Sequence, residues 1–346
     1  MIKKMRNKNT GDRDLTYDIV RSFCILEIVG FWHLQDYREP MLVTDSINTY
    51  GGIVTQGVLG AFTLMSSVFL SKYKIVSLGD YKDFYYKRLK RFFFPFFLSS
   101  LSLYIASSIV GECWYSSFGN FLLSIAGLTA FFLPQPATLW YMSMLIFFYS
   151  ITPIILFFNQ LGRVLSGIML FVMVLIIGNC WAIDTRIFTY MPVYLFGLVM
   201  PLNIMDKMKN NGYILFFSII ITFLDVFVFT TNIFGFPNRH YLLTISTPIL
   251  LISAFSFFSK NKKVSWIASK ISFASMNMYL FHRQWFLLFV FLFGYNSTSM
   301  RDSYLSDWIL VFIVLPIIWA FSYGFQILYN ELIDVVLKKN ARKIKL

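Results

Sequence analysis

The chain has 346 residues, 57% of them hydrophobic and 14% charged, with a mean hydropathy of +0.64. That is more apolar surface than a soluble domain of this length can bury, so a soluble globular protein is excluded. The net charge of +13 would suit a nucleic-acid partner, but the cations are segregated between apolar segments and report membrane topology instead.

Ten apolar segments are each near the ~20 residues that a hydrocarbon core requires. They fall at 17–34, 53–71, 92–110, 139–158, 163–181, 187–205, 212–230, 241–258, 273–294 and 307–329. With the N-terminus inside, inner loops and tails hold 24 of the 30 Lys and Arg. The outer loops hold only Arg38, Arg186, Arg239 and Arg301, a strong positive-inside signal. The expected fold is an all-α integral membrane protein of about ten transmembrane helices with both termini cytoplasmic. Residues 1–16 are then a basic cytoplasmic tail, 17–330 the ten-helix membrane domain and 331–346 a second basic tail. The first segment lacks a small-residue cleavage site and reads as a retained helix. Segment 119–133, bounded by Pro134 and Pro136, is short for a span and reads as a re-entrant or interfacial helix on the outer face.

The first helix carries Asp18, Arg21, Glu27 and His33. Ionisable groups are costly inside a bilayer and mark functional interiors. Arg21 and His33 lie twelve positions apart, roughly 18 Å of rise, so one belongs near the inner face and the other near the outer. Glu27 falls between them and calls for a partner such as Arg283. The loop before the third helix ends in Lys87, Arg88, Lys90 and Arg91 at a helix start, with Pro95 about one turn on. Two readings stand: a positive-inside anchor, or a phosphate clamp in which Arg forks match phosphate oxygens. Trp140 and Tyr141 open the fourth helix at its outer boundary, where aromatic belts belong. Near helix nine, Ser272, Ala274 and Ser275 permit close packing, and Tyr279, His282 and Arg283 lie within the apolar run. The loop before helix eight offers Arg239 and His240 as weak sugar-binding candidates.

Cys113 and Cys180 both fall at outer helix ends, and two free thiols are favoured over a disulfide. The three histidines are far apart in sequence and show no metal-ligand spacing. No phosphate loop and no dinucleotide glycine fingerprint is present.

Four ordered features give the chain a resemblance to the acyltransferase family 3 membrane proteins. They are the opening helix with Asp18, Arg21 and His33; Arg88, Arg91 and Pro95; Leu139-Trp140-Tyr141 followed by Tyr149 and Pro153; and Ser275 with Tyr279-Leu280-x-His282. The resemblance is to the stand-alone type and implies an O-acyltransferase, usually an O-acetyltransferase, acting on cell-envelope polysaccharide or glycolipid. It implies acyl-CoA, usually acetyl-CoA, as co-substrate and no bound cofactor or metal. His33 and Arg21 would be catalytic, and Arg88, Arg91, Lys87 and Lys90 would bind the donor. Glu27, Trp140, Tyr141, Tyr279, His282, Arg283 and His240 are then pore or acceptor candidates. The partners implied are acyl-CoA, the glycan acceptor and the bilayer, with no nucleic acid; the location implied is the bacterial cytoplasmic membrane. A transporter or flippase for a charged lipid-linked saccharide is the alternative, and a catalytically inactive scaffold a third.

Two departures carry structural expectations. The family usually places ten residues between the first-helix Arg and His, and here there are eleven. An offset of twelve turns the two about 120° apart on a regular helix, so a π-bulge near Gly30 is predicted to restore the face. The family often has Ser-Gly in helix two, where this chain has Ser66-Ser67.

Overall fold

Each of the ten apolar segments is helical over most of its described residues, as a backbone in lipid must satisfy its hydrogen bonds within its own segment. A computed structural model describes residues 14–35, 45–110, 117–132, 139–181, 183–200, 206–209, 211–227, 241–292 and 310–343, and no strand occurs among them. Helix α1 (Leu15–Glu27) runs on through a π-helical turn, Ile28–Trp32, into a last turn, His33–Gln35. There follow α2 (Asp45–Leu70), α3 (Leu78–Val110), α4 (Phe118–Ile125), α5 (Leu139–Leu156), α6 (Gln160–Cys180) and α7 (Arg186–Val199). The chain continues with α8 (Gly212–Phe227), α9 (Tyr241–Ser256), α10 (Lys262–Leu292), a π-helical turn Leu310–Val314 and α11 (Leu315–Lys343). Five of these, in α2, α3, α5, α6 and the π-turn–α11 stretch, are long and apolar enough to cross a membrane.

The extra residue of α1 is absorbed where the spacing predicts. The His33 backbone N–H donates to the Ile28 carbonyl, an i→i−5 bond in place of i→i−4.

Several helix starts lie outside the apolar segments. Helix α3 begins at Leu78, not at 92, so Pro95 sits deep in a 33-residue helix and the cationic cluster lies on helix rather than at its start. The cause is a capping box: Ser77 N–H donates to Asp80 Oδ2 (2.8 Å) while Asp80 N–H donates to Ser77 Oγ (3.3 Å). Asn261 likewise caps α10, accepting from Lys263 N–H at 3.0 Å. Helix α11 runs to Lys343, so much of the basic 331–346 tail is helical.

Segment 119–133 does not span, because α4 has only eight residues, about 12 Å of rise. Gly127, at φ +68°, ends it. Leu128 N–H reaches back to the Leu123 carbonyl and Gly127 N–H to that of Ser124, a Schellman closure that needs a left-handed residue. The chain then docks on α5, where Ser143 Oγ accepts from Ala130 N–H at 3.0 Å.

Helix α2 is the central post, packed on α1, α7 and α9. Small residues let the backbones approach. A Cβ on Gly60 would lie 3.0 Å from Thr244 Cα on α9. The close approach at Ser67 also exists, but its glycine stands across the interface: a Cβ on Gly197 of α7 would meet Ser67 Oγ and fall 3.0 Å from Leu64 Cδ1. Helix α10 packs on α1 through polar seams. Ser22 Oγ lies 2.6 Å from the Ala268 carbonyl and Ser272 Oγ donates to Asp18 Oδ1 at 2.7 Å.

Candidate active site

The π-turn aims His33 at α10. His33 Nδ1 lies 2.7 Å from His282 Nε2, and both residues are buried. The ring planes differ by 2° with centroids 4.7 Å apart, so the imidazoles meet edge to edge. His282 Nδ1 lies 2.8 Å from the Tyr279 carbonyl. A carbonyl only accepts, so this nitrogen carries the proton. Neutral His282 then offers Nε2 as an acceptor, and His33 donates to it from Nδ1. The tautomers follow from this hydrogen-bond pattern, and they leave His33 Nε2 unprotonated. That nitrogen has no partner among the described residues. The arrangement suits a general base oriented by a second imidazole, which is in turn fixed by backbone.

Aromatic and hydroxyl groups lead away from this pair. Tyr279 stands 6.3 Å from His33 and 5.6 Å from Tyr141, centroid to centroid. Tyr141 shares a 3.2 Å hydrogen bond with Thr63 of α2 and packs on Trp140. Trp140 and Tyr141 are buried, not part of a lipid-facing belt. Arg186 holds Trp140 from the far side, its Cζ 3.9 Å from the ring centre, and Asp184 pairs with Arg186 at 2.7 Å. Along α5, Phe148 stacks on Tyr194, whose hydroxyl meets Thr152 Oγ1 at 2.5 Å. Tyr141 to Thr152 is roughly 16 Å of helix rise, so the strip runs from the histidines toward the other end of the bundle.

Cations gather at that other end. Arg21 and Lys72 each stand 5.7 Å from the Phe69 ring centre. Arg88 lies over Tyr73 at 5.1 Å and Phe84 at 5.6 Å. Its buried Nε has no hydrogen-bond partner among the described residues. The four residues of the predicted clamp do not converge. Lys87, Arg88 and Arg91 share an arc of about 100° on α3, while Lys90 points roughly opposite Arg88, toward Tyr86. Arg88 and Lys90 are both half-buried, on nearly opposite sides of the helix, and Arg88 is the one that turns toward Tyr73 and Phe84; Lys87 and Arg91 are exposed.

Glu27 does not meet Arg283. Its Oε1 accepts from Thr55 Oγ1 at 2.9 Å, and its buried Oε2 has no partner among the described residues. Arg283 is buried on α10, one residue beyond His282. His240, Arg239 and Cys113 lie outside the described residues. Among the described residues no three His, Cys, Asp or Glu side chains could hold a metal ion.

Sequence reading missed Thr63, Thr55, Lys72, Tyr194 and the Asp184–Arg186 hold on Trp140. For Thr55, Thr63 and Tyr194 the signal was a hydroxyl inside an apolar segment; Lys72, Asp184 and Arg186 lie just outside the segments and gave no such signal. Missed too was Gly51-Gly52, over which Trp32 lies; a Cβ there would sit 3.3 and 3.2 Å from its ring.

No curated protein and no solved structure matches the chain. A family model described as an acyltransferase domain, that of acyltransferase family 3, matches residues 14–327. This range takes in both histidines, the aromatic strip and the cationic end. With about nine-tenths of the chain inside that one match, residues 14–327 of 346, and several of its helices apolar enough to span a bilayer, the chain belongs to acyltransferase family 3, a family of membrane acyltransferases.

Proposed function

We propose that this protein moves an acetyl or similar acyl group from cytosolic acyl-CoA to a hydroxyl of a cell-envelope polysaccharide or glycolipid. The donor's phosphates bind at the cationic end, first to Arg88 and then to Arg91 and Lys87, with Lys90 peripheral. The pantetheine arm lies along the α5 strip, which brings the thioester near His33. The acceptor hydroxyl gives its proton to His33 Nε2, and its oxygen attacks the thioester carbonyl. The carbon–sulfur bond breaks, and coenzyme A leaves with a proton as the thiol. Arg21 steadies the donor near the cationic end, while Tyr141, Tyr279 and Trp140 shape the acceptor's approach. The working topology is ten spans with both termini in the cytoplasm of a bacterial cell.

The observation that carries this reading is the His33–His282 pair, whose hydrogen bonds turn His33 Nε2 into an acceptor. The test is His33→Ala in purified, reconstituted protein with labelled acetyl-CoA. The variant should bind acetyl-CoA like the wild type and transfer none of it. Unchanged transfer refutes the role of His33. Wild-type protein that binds no acetyl-CoA refutes the donor, and saccharide flux in proteoliposomes would be measured next.

A further inference from the structure

A groove of about 520 Å³ runs between α1, α10 and α11, and neither His33 nor His282 lines it. Leu26, Ile267, Ile271, Met278, Leu315 and Pro316 make its walls apolar. Leu26 is 38% exposed and Ile267 52%, so the groove opens outward, toward lipid. In a bilayer such an opening is filled by hydrocarbon, because no water is there to fill it. Val311 to Tyr323 spans roughly 18 Å along α11, close to half of a ~30 Å hydrocarbon core. The groove is therefore one leaflet deep.

Its polar groups all lie toward one end. Lys270 Nζ donates to Tyr323 Oη at 2.8 Å and lies 6.0 Å from the Trp266 ring centre. One turn deeper on α11, Trp319 Nε1 is buried and has no acceptor among the described residues. No carboxylate lines the groove. Lys263 is exposed two turns before Lys270 and on the same face of α10, seven residues giving about 20° of offset. A surface that offers cations and an unused N–H above an apolar trough complements a lipid whose headgroup is anionic.

We infer that this groove binds an anionic phospholipid from the leaflet at the Lys263–Lys270 end. Lys270 pairs with the phosphate, and Lys263 adds to the positive field above it. Trp319 Nε1–H donates to an ester carbonyl below the phosphate, and an acyl chain lies along Ile271, Met278 and Leu315. The far end of that chain reaches the π-turn of α1, since a Cβ on Gly30 would stand 2.9 Å from Leu315 Cδ2. The inference needs only that the chain sits in a bilayer and is independent of the acyl donor.

Native mass spectrometry tests it on full-length protein, stripped of lipid and re-equilibrated with phosphatidylglycerol or phosphatidylcholine of equal chain length. Wild type should retain phosphatidylglycerol at least fivefold better. Lys270→Gln should cut that preference below twofold, while Lys270→Arg, which keeps the charge, should preserve it. Ile267→Trp, which fills the trough, should lower retention of phosphatidylglycerol severalfold. Equal retention of the two lipids by wild type, occupancy by a neutral lipid alone, or an unchanged preference in Lys270→Gln overturns the inference.

Discussion

Replacing His282 by Phe keeps a ring of similar size and removes the acceptor 2.7 Å from His33 Nδ1. The His33 N–H would then be a buried donor without a partner, which costs about 1–3 kcal/mol. The other His33 tautomer avoids that cost but places its proton on Nε2, the atom the reaction needs bare. At about 1.4 kcal/mol per tenfold, kcat should fall roughly 5- to 150-fold. KM for the donor should hold, since no donor contact is lost. His282→Gln offers Oε1 near the vacated Nε2 position and should restore most of the rate. The tautomers themselves can be read from ¹⁵N chemical shifts of histidine-labelled protein in nanodiscs, where only three histidines contribute. Wild type should show His33 and His282 protonated on Nδ1, and His282→Phe should shift His33 toward Nε2. A His33 protonated on Nε2 in wild type refutes the reasoning, as does a His282→Phe rate within twofold of wild type.

Gly30→Val should destabilise the protein by about 1–3 kcal/mol through overpacking, because its Cβ meets Leu315; Leu315→Ala in the same chain should recover much of the lost melting temperature. Arg88→Ala should weaken acetyl-CoA binding at least tenfold by calorimetry, and Lys90→Ala less than twofold; equal losses would contradict the inward turn of Arg88. Lys209 bridges Asp14, the α1 cap, and Asp206, the latter at 2.7 Å. Burial disfavours the Asp14 charge, but Lys209 and the Thr16 N–H outweigh it and hold the carboxyl below its ordinary 3.8. Burial likewise opposes the Lys209 charge, but Asp14 and Asp206 hold its ammonium above its ordinary 10.5. The Asp14 contribution is therefore complete above the ordinary carboxyl value and lost as pH falls through the lower folded value; the Lys209 contribution is complete below 10.5 and lost at higher pH. Lys209→Met should thus cost ~0.5–1 kcal/mol, partly screened, by a constant margin between about pH 5 and 9 in thermal melts.

Much of the fold was legible because lipid leaves so few options. Hydropathy located the helices, and the length of 119–133 told that α4 would not span. The turn at Ile28–Trp32 could be placed by counting the residues between Arg21 and His33 against the ten that the resembled family usually shows, because helical phase is arithmetic. Helix starts were misread where capping, not hydropathy, decides: Ser77-x-x-Asp80 and Asn261 were in plain view but lie outside the apolar runs. The site divided along similar lines. Tyr141, Tyr279, His282 and His33 come together, although the sequence placed only His33 and Tyr141 near the outer side and Tyr279 and His282 simply within an apolar run. Glu27, with Thr55 as its neighbour, and Lys90, turned away from Arg88, depend on which face of a helix looks inward, and four polar residues within five positions cannot all face one way. The glycine at the Ser67 contact could not be found by reading helix two, since the space is made by Gly197 on another helix.

The wide turn in α1 also bears on how relatives of this chain are recognised. What the proposed chemistry requires of His33 is an azimuth about the helix axis, and an inserted residue leaves that azimuth intact when one turn of backbone opens to an i→i−5 closure. A signature written as a fixed interval between Arg and His would reject this chain while its imidazole stands where a ten-residue interval would put it. A signature that let the interval grow by one would admit this chain, whose π-turn takes up the inserted residue at Ile28–Trp32.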